Sequence, residues 1–237
     1  MHERGRNFPS FFAFNPGFLN LLRSFRSPHS AENFCNDMEK KIKKILACRG
    51  KTCIQDDRLT RAAVLIPLFK KRGEYHLLFT RRTDQVEHHK GQISFPGGRK
   101  DEADEDLLTT ALREAEEEMG IHKKDVRVLG ELDDICTVTK FCVSPFVGLI
   151  PYPYSFKVNP REIEEVIEVP LSVFLEKNNF RKEFRELQGK MWPVYFYRHD
   201  HHTIWGATAS IVKQLLDLLP QDEKGKVKRI EDAETKG

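Results

Sequence analysis

The chain of 237 residues carries 39 Lys and Arg against 36 Asp and Glu, a formal net charge of +3. That is too near balance for a protein whose task is to neutralise nucleic-acid phosphates. With 39% hydrophobic and 32% charged residues, it reads as one large soluble domain with a small appendage and no membrane partner, since no apolar run approaches a bilayer span.

The five cysteines (Cys35, Cys48, Cys53, Cys136, Cys142) share no metal or redox spacing. Reduced thiols in a cytosol-like compartment are their simplest account. Residues 1–33 form an expected extension. Between Gly5 and Ala31 it has no acidic residue, and Arg6, Arg23 and Arg26 accompany many Phe and Leu, the composition of a mitochondrial presequence. Asn15-Pro16-Gly17 breaks any helix there, so a loosely ordered extension stays open as the alternative. A domain is expected over 34–220 and a charged, apolar-poor tail over 221–237.

Residues 34–49 predict a basic amphipathic helix with Met38, Ile42, Ile45 and Leu46 on one side, better read as packing than as catalysis. Ala62–Phe69 is an apolar run of strand length, Lys70–Glu74 a turn, and Tyr75–Thr80 the return strand of a hairpin. Arg81 to Lys90 is a polar loop. Its adjacent His88 and His89 face opposite sides on an extended chain and do not chelate together. Arg81, Arg82 and Lys90 lie between a strand and a glycine turn, where an arginine fork suits phosphate oxygens.

The stretch Gly91–Ile121, GQISFPGGRKDEADEDLLTTALREAEEEMGI, organises the rest. Gln92–Phe95 alternates as a half-buried strand, and Pro96-Gly97-Gly98 is expected to end it. A helix from near Glu105 to Met119 follows, capped by Gly120. At 100° per residue, Leu108, Leu112, Ala115 and Met119 form an apolar stripe. Glu114, Glu117 and Glu118 share another face, within an arc of roughly 100°. Glu116 points to solvent, and Arg113 sits beside Glu117. A solvated acidic face is the ordinary reading of such a run. The other is a divalent-cation site, whose hard oxygen ligands select Mg²⁺ or Mn²⁺ over Zn²⁺. The Gly-Gly turn at a fixed distance before it favours the second.

Beyond the helix, Val126–Val138 predicts one long strand or two, broken at Asp133-Asp134. Val143–Ile150 predicts another, with Pro145 suggesting an irregular or edge position. Tyr152, Tyr154 and Phe156 in the following loop are read as core rather than as a stacking platform. A short helix after Pro170 ends near Lys177. Phe184–Leu187 and Trp192–Tyr197 flank Gln188-Gly189-Lys190 as a hairpin, and a last helix ends near Leu219.

Arg113-Glu114-Ala115-Glu116-Glu117-Glu118-Met119-Gly120-Ile121 resembles the end of the Nudix box, REUxEExGU, at every specified position, and Gly98 stands where its first glycine should be. The box spacing places the arginine at 112, whereas here it is at 113, so Asp104 or Glu105 represents the box's first glutamate. That one-residue insertion resembles the coenzyme A diphosphatase (CoA pyrophosphatase) branch, as do Leu78-Phe79-Thr80-Arg81-Arg82-Thr83, His89-Lys90-Gly91-Gln92 and Phe95-Pro96-Gly97-Gly98. Glu87 departs from it, standing where the branch often carries a basic residue. The resemblance covers about residues 60–220.

It implies an α/β fold, an α/β/α sandwich around a mixed β-sheet, and metal-dependent hydrolysis of the diphosphate of coenzyme A or an acyl-CoA. A broader nucleoside diphosphate hydrolase acting on ADP-ribose or NADH is the alternative. It implies Glu114, Glu117 and Glu118 as ligands of Mg²⁺ or Mn²⁺, Glu114 also as a candidate to orient water, and Arg113 as the residue that positions the carboxylates. Arg81, Arg82, Lys90, Gly97 and Gly98 are the expected substrate contacts. Glu165 is the candidate further carboxylate, and a homodimer stays open.

Overall fold

The computed structural model describes residues 28–84, 91–187 and 189–219. The expected tail, most of the expected extension, and Lys90, Glu87, His88 and His89 lie outside the described residues.

Two runs rich in apolar residues form the centre of the main sheet. β1 (Thr60–Lys71) and β2 (Glu74–Arg82) pair antiparallel from Leu68 opposite Leu77 to Lys71 opposite Glu74. Arg72 and Gly73, both at positive φ, make the two-residue turn whose twist matches the strands. β3 (Ile93–Ser94) pairs with the outer end of β2, and β4 (Gly97–Arg99) returns to β1. β3 thus ends before Pro96, as expected, and the glycine pair itself opens the next strand. β5 (Arg127–Glu131), β6 (Ile135–Cys136), β7 (Phe141–Leu149) and β8 (Ile163–Pro170) complete eight strands. Their main order is β3-β2-β1-β7-β5, with β8 on β2 and β6 on β7. β1 and β7 run parallel and the other pairs antiparallel, so the sheet is mixed.

Pro145 does not mark an edge. β7 is interior, between β1 on one side and β5 and β6 on the other. Val143 faces Ile135 and Phe146 faces Glu131, so Pro145 falls opposite the interruption at 132–134. Its missing N–H costs no ladder bond there, and its carbonyl accepts from the Leu132 N–H at 2.9 Å.

Side chains alternate across β1 and seed two cores. Ala63, Leu65 and Phe69 face the layer of helix α2 (Leu107–Met119), packing with Ala111, Leu112, Ala115 and Met119. Ile66 and Leu68 face the opposite layer. That layer holds α1 (Pro28–Cys48), α3 (Gly206–Leu218) and a three-stranded sheet of β9 (Phe180–Leu187), β10 (Lys190–His199) and β11 (His202–Trp205). The result is an α/β/α sandwich. α1 begins at Pro28, six residues before the expected boundary, and buries Met38, Ile42 and Leu46. Tyr154 and Phe156 join the core against α2, as expected. No helix among the described residues is long and apolar enough to cross a membrane.

α2 starts where Asp106 accepts from the Thr109 N–H at 2.7 Å and ends at left-handed Gly120. Asp106→Ala, which removes the cap, should cost about 1 kcal/mol of stability. Leu112→Ala, which opens a cavity under the helix, should cost about 2–5 kcal/mol. Urea unfolding midpoints with unchanged m-values check both.

Candidate active site

α2 lies across β1 and β4, and its polar face meets the glycine strand. A Cβ on Gly98 would stand 2.5 Å from the Glu114 carboxylate, and one on Gly97 would stand 2.3 Å from the Ala63 carbonyl oxygen. The glycines are needed because backbone, helix carboxylate and neighbouring strand occupy the space any side chain would take.

That approach buries Glu118, which is 3% exposed. Its Oε2 accepts from the Gly97 N–H at 3.2 Å and its Oε1 from Arg82 Nη1 at 3.4 Å. Burial pushes its pKa up to about 8, against the opposing effects of Arg82 and the Gly97 N–H; the charges of Glu114 and Glu162 add to the rise. Glu114, half-buried, is also raised, chiefly by burial, with Arg113 opposing. Glu117 is the exposed member of the trio.

Arg113 ties the face together. Its Nη1 reaches Glu114 at 2.8 Å and Glu117 at 3.1 Å. Its Nε and Nη2 hold both oxygens of Asp104 at 3.0 Å, and Nη2 also donates to the Arg99 carbonyl. Of the two acidic candidates before the helix, the buried Asp104 is thus the arginine's partner. Its carboxyl is held well below the usual range, first by Arg113, with further bonds from the Asp101 N–H and Thr110. Glu116 turns outward and meets His122 at 2.7 Å.

Two expected contacts sit elsewhere. Arg81 is engaged by Glu165 at 3.0 Å and Glu164 at 3.1 Å, so its fork is taken by carboxylates. Glu165 is held by Arg81 and by His202. The carboxylate outside the helix that acts on Glu114 and Glu118 is Glu162, 4.0 Å from Arg82. A shift in the β2–β8 register between Arg81 and Arg82 separates these environments. Alternation alone does not reveal such an irregularity. Sequence reading also missed an open groove of about 410 Å³ lined by Arg58, Arg61, Arg99 and Lys100 together with Asp57, Asp101 and Glu102. Arg58 is bound to Asp56 and Arg61 to Asp134. Among the described residues no carboxylate pairs with Arg99.

Three carboxylates on one rigid helix, one of them desolvated, fit a hard divalent cation: the donors are all oxygen and their charge is incompletely met by Arg82 and Arg113. An α/β/α sandwich presenting such a face beside a glycine strand defines a phosphate-processing hydrolase. Residues 59–193 match the NUDIX domain model. The chain is 42% identical over 159 residues to the "Uncharacterized Nudix hydrolase NudL" of Photorhabdus laumondii, covering 67% of this chain and 84% of that protein. The protein of the same name from Yersinia pestis is 41% identical over 155 residues, 65% of this chain and 77% of that one. A MutT/nudix family protein from Enterococcus faecalis aligns in structure with a TM-score of 0.45 at 12% identity, covering 84% of this chain and 76% of that one.

The chain belongs to the Nudix family. It is a Nudix hydrolase, an enzyme acting on pyrophosphate bonds of nucleotide substrates, and enzymes of this family generally use divalent metals.

The raised pKa of Glu118 has a stability consequence for the metal-free chain. A carboxyl whose folded pKa, about 8, exceeds its unfolded value stabilises fully below the unfolded pKa, and that contribution is lost as pH rises through the folded one. Glu118 should therefore make metal-free stability fall from about pH 4.5 to 8. Glu118→Gln should flatten that part of the profile, and added Mg²⁺ should stabilise more at pH 8 than at pH 6 because binding displaces a proton. Thermal melts across this range in chelator and in Mg²⁺ measure all three.

Proposed function

We propose that the chain hydrolyses the diphosphate bond of coenzyme A or acyl-CoA, releasing 4′-phosphopantetheine or its acyl form and adenosine 3′,5′-bisphosphate. The observation that supports this reading is the meeting of two sequence signatures in space. The run through Thr80-Arg81-Arg82 and Phe95-Pro96-Gly97-Gly98 is delivered by β2, β3 and β4 to the box glutamates, with Arg82 and the Gly97 N–H both on Glu118.

In this reading Glu114, Glu117 and Glu118 hold Mg²⁺ or Mn²⁺, which supplies charge neutralisation, polarisation of a phosphoryl oxygen and a more acidic water. Arg113, held by Asp104, keeps Glu114 and Glu117 oriented. Gly97 and Gly98, lacking side chains, let Glu114 and Glu118 close on the strand and so hold these carboxylates where the diphosphate and its metal would sit. Arg82 adds a positive charge beside Glu118.

Coenzyme A differs from its dephospho form by a 3′-phosphate of nearly two negative charges, which needs a cation not already committed. Arg81 and Arg82 face carboxylates, so we place this duty on Arg99 in the open groove beside β4. A bidentate arginine–phosphate contact is worth about 1.5–3 kcal/mol, roughly ten- to a hundredfold in kcat/KM.

A kcat/KM panel over coenzyme A, dephospho-coenzyme A and ADP-ribose, with products identified by mass, should show coenzyme A preferred by that margin. Arg99→Gln should shrink the gap and leave ADP-ribose hydrolysis largely intact. Equal rates on all three would replace this reading with the broader hydrolase. Excess chelator should abolish turnover. Glu117→Gln or Glu118→Gln should lower the rate on the order of a thousandfold, whereas Glu116→Gln should be near neutral.

A further inference from the structure

The cluster around Glu165 is not used by the chemistry above, yet it converges more tightly than the box glutamates do. One ligand atom each from Glu165, His201 and His202 lies within 4.8 Å of the other two; among the described residues this is the group of His, Cys, Asp or Glu that does so. Adjacent histidines on an extended strand would point apart. Here His201 lies in the tight turn between β10 and β11, where Asp200 adopts φ 51. The turn brings the two imidazoles to 3.9 Å between ring centres.

His202 presents its ring to the cluster from a buried position. His202 is 8% exposed, and its Nδ1 is buried with no hydrogen-bond partner. Its Nε2 lies 3.1 Å from Glu165 Oε2. Nε2, not the unpartnered Nδ1 across the ring, is therefore the nitrogen turned toward the carboxylate. His201 is exposed and leaves an entry path from solvent. Arg81 shares Glu165, but Glu164 also pairs with it, so two carboxylates against one guanidinium leave the cluster net negative.

We propose that Glu165, His201 and His202 form a second cation site, for a borderline transition ion such as Zn²⁺. Two imidazoles and one carboxylate are a zinc donor set with room for water at a fourth position, and imidazole disfavours Mg²⁺. Glu165 belongs to β8 of the large sheet and the histidines to the hairpin end of the small one. A bound ion therefore clamps the two sheets together, and Arg81 beside it keeps the affinity below that of a buried structural site.

The test is calorimetric titration of ZnCl₂ into the full chain in millimolar Mg²⁺, which occupies the box glutamates, with thermal denaturation alongside. The expected result is a zinc-binding event that raises the melting temperature. His201→Ala and Glu165→Gln should each weaken it roughly ten- to a hundredfold and remove the thermal gain. His201→Ala alters an exposed turn, and its zinc-free melting temperature should equal that of the parent. Absence of zinc binding, binding abolished by further Mg²⁺, or binding untouched by both variants but lost in His88→Ala or His89→Ala would each overturn the proposal.

Discussion

The constraint on which this structure turns is the removal of the Glu118 carboxylate from water. α2 presses against β4 closely enough that Gly98 has no space for a methyl group beside Glu114. The same contact leaves Glu118 with one backbone N–H and one arginine in place of solvent. A carboxylate in that position is uncomfortable when ionised. The fold keeps it there because the opposite stripe of the helix, through Ala111, Leu112, Ala115 and Met119, is fully engaged in the core. Apolar packing thus holds an acidic face in a place it would not choose alone, and a dication is the natural complement.

Arg113 is the counterweight. It reaches Glu114 and Glu117 with one nitrogen and grips Asp104 with two others. Asp104 is itself held by the Thr110 hydroxyl and the Asp101 N–H. The acidic loop before the helix is therefore part of the site's scaffold. Its geometry also explains how a box with one extra residue keeps its arginine clamped: Asp104 swings in while Glu105 stays exposed.

Much of this was legible in the chain. The helix over 107–119 follows from its apolar period, its cap at Gly120 and the acidic residues on one side. The β1–β2 and β9–β10 hairpins follow from alternation around short turns. The separation of Glu116 from its neighbours follows from helical phase. These are local properties, set within one or two turns of chain. Pro145 was misleading for the same reason: proline's missing donor is local, but whether it matters depends on what lies opposite, and here that is a gap between two short strands.

What the sequence by itself determined is the periodicity of each element, the presence of three carboxylates on one helix face and the glycine pair that faces them, because backbone sterics and side-chain spacing act within a segment. Only the tertiary structure decided which charges meet. Arg81 and Arg82 are neighbours in sequence, yet one is held by Glu164 and Glu165 and the other by Glu118, because a strand turns successive side chains to opposite faces and the register shift beside them alters which residues of β8 they meet. Desolvation is likewise a property of three dimensions: Glu114, Glu117 and Glu118 look alike in the chain, yet protein closes over Glu118, half covers Glu114 and leaves Glu117 exposed.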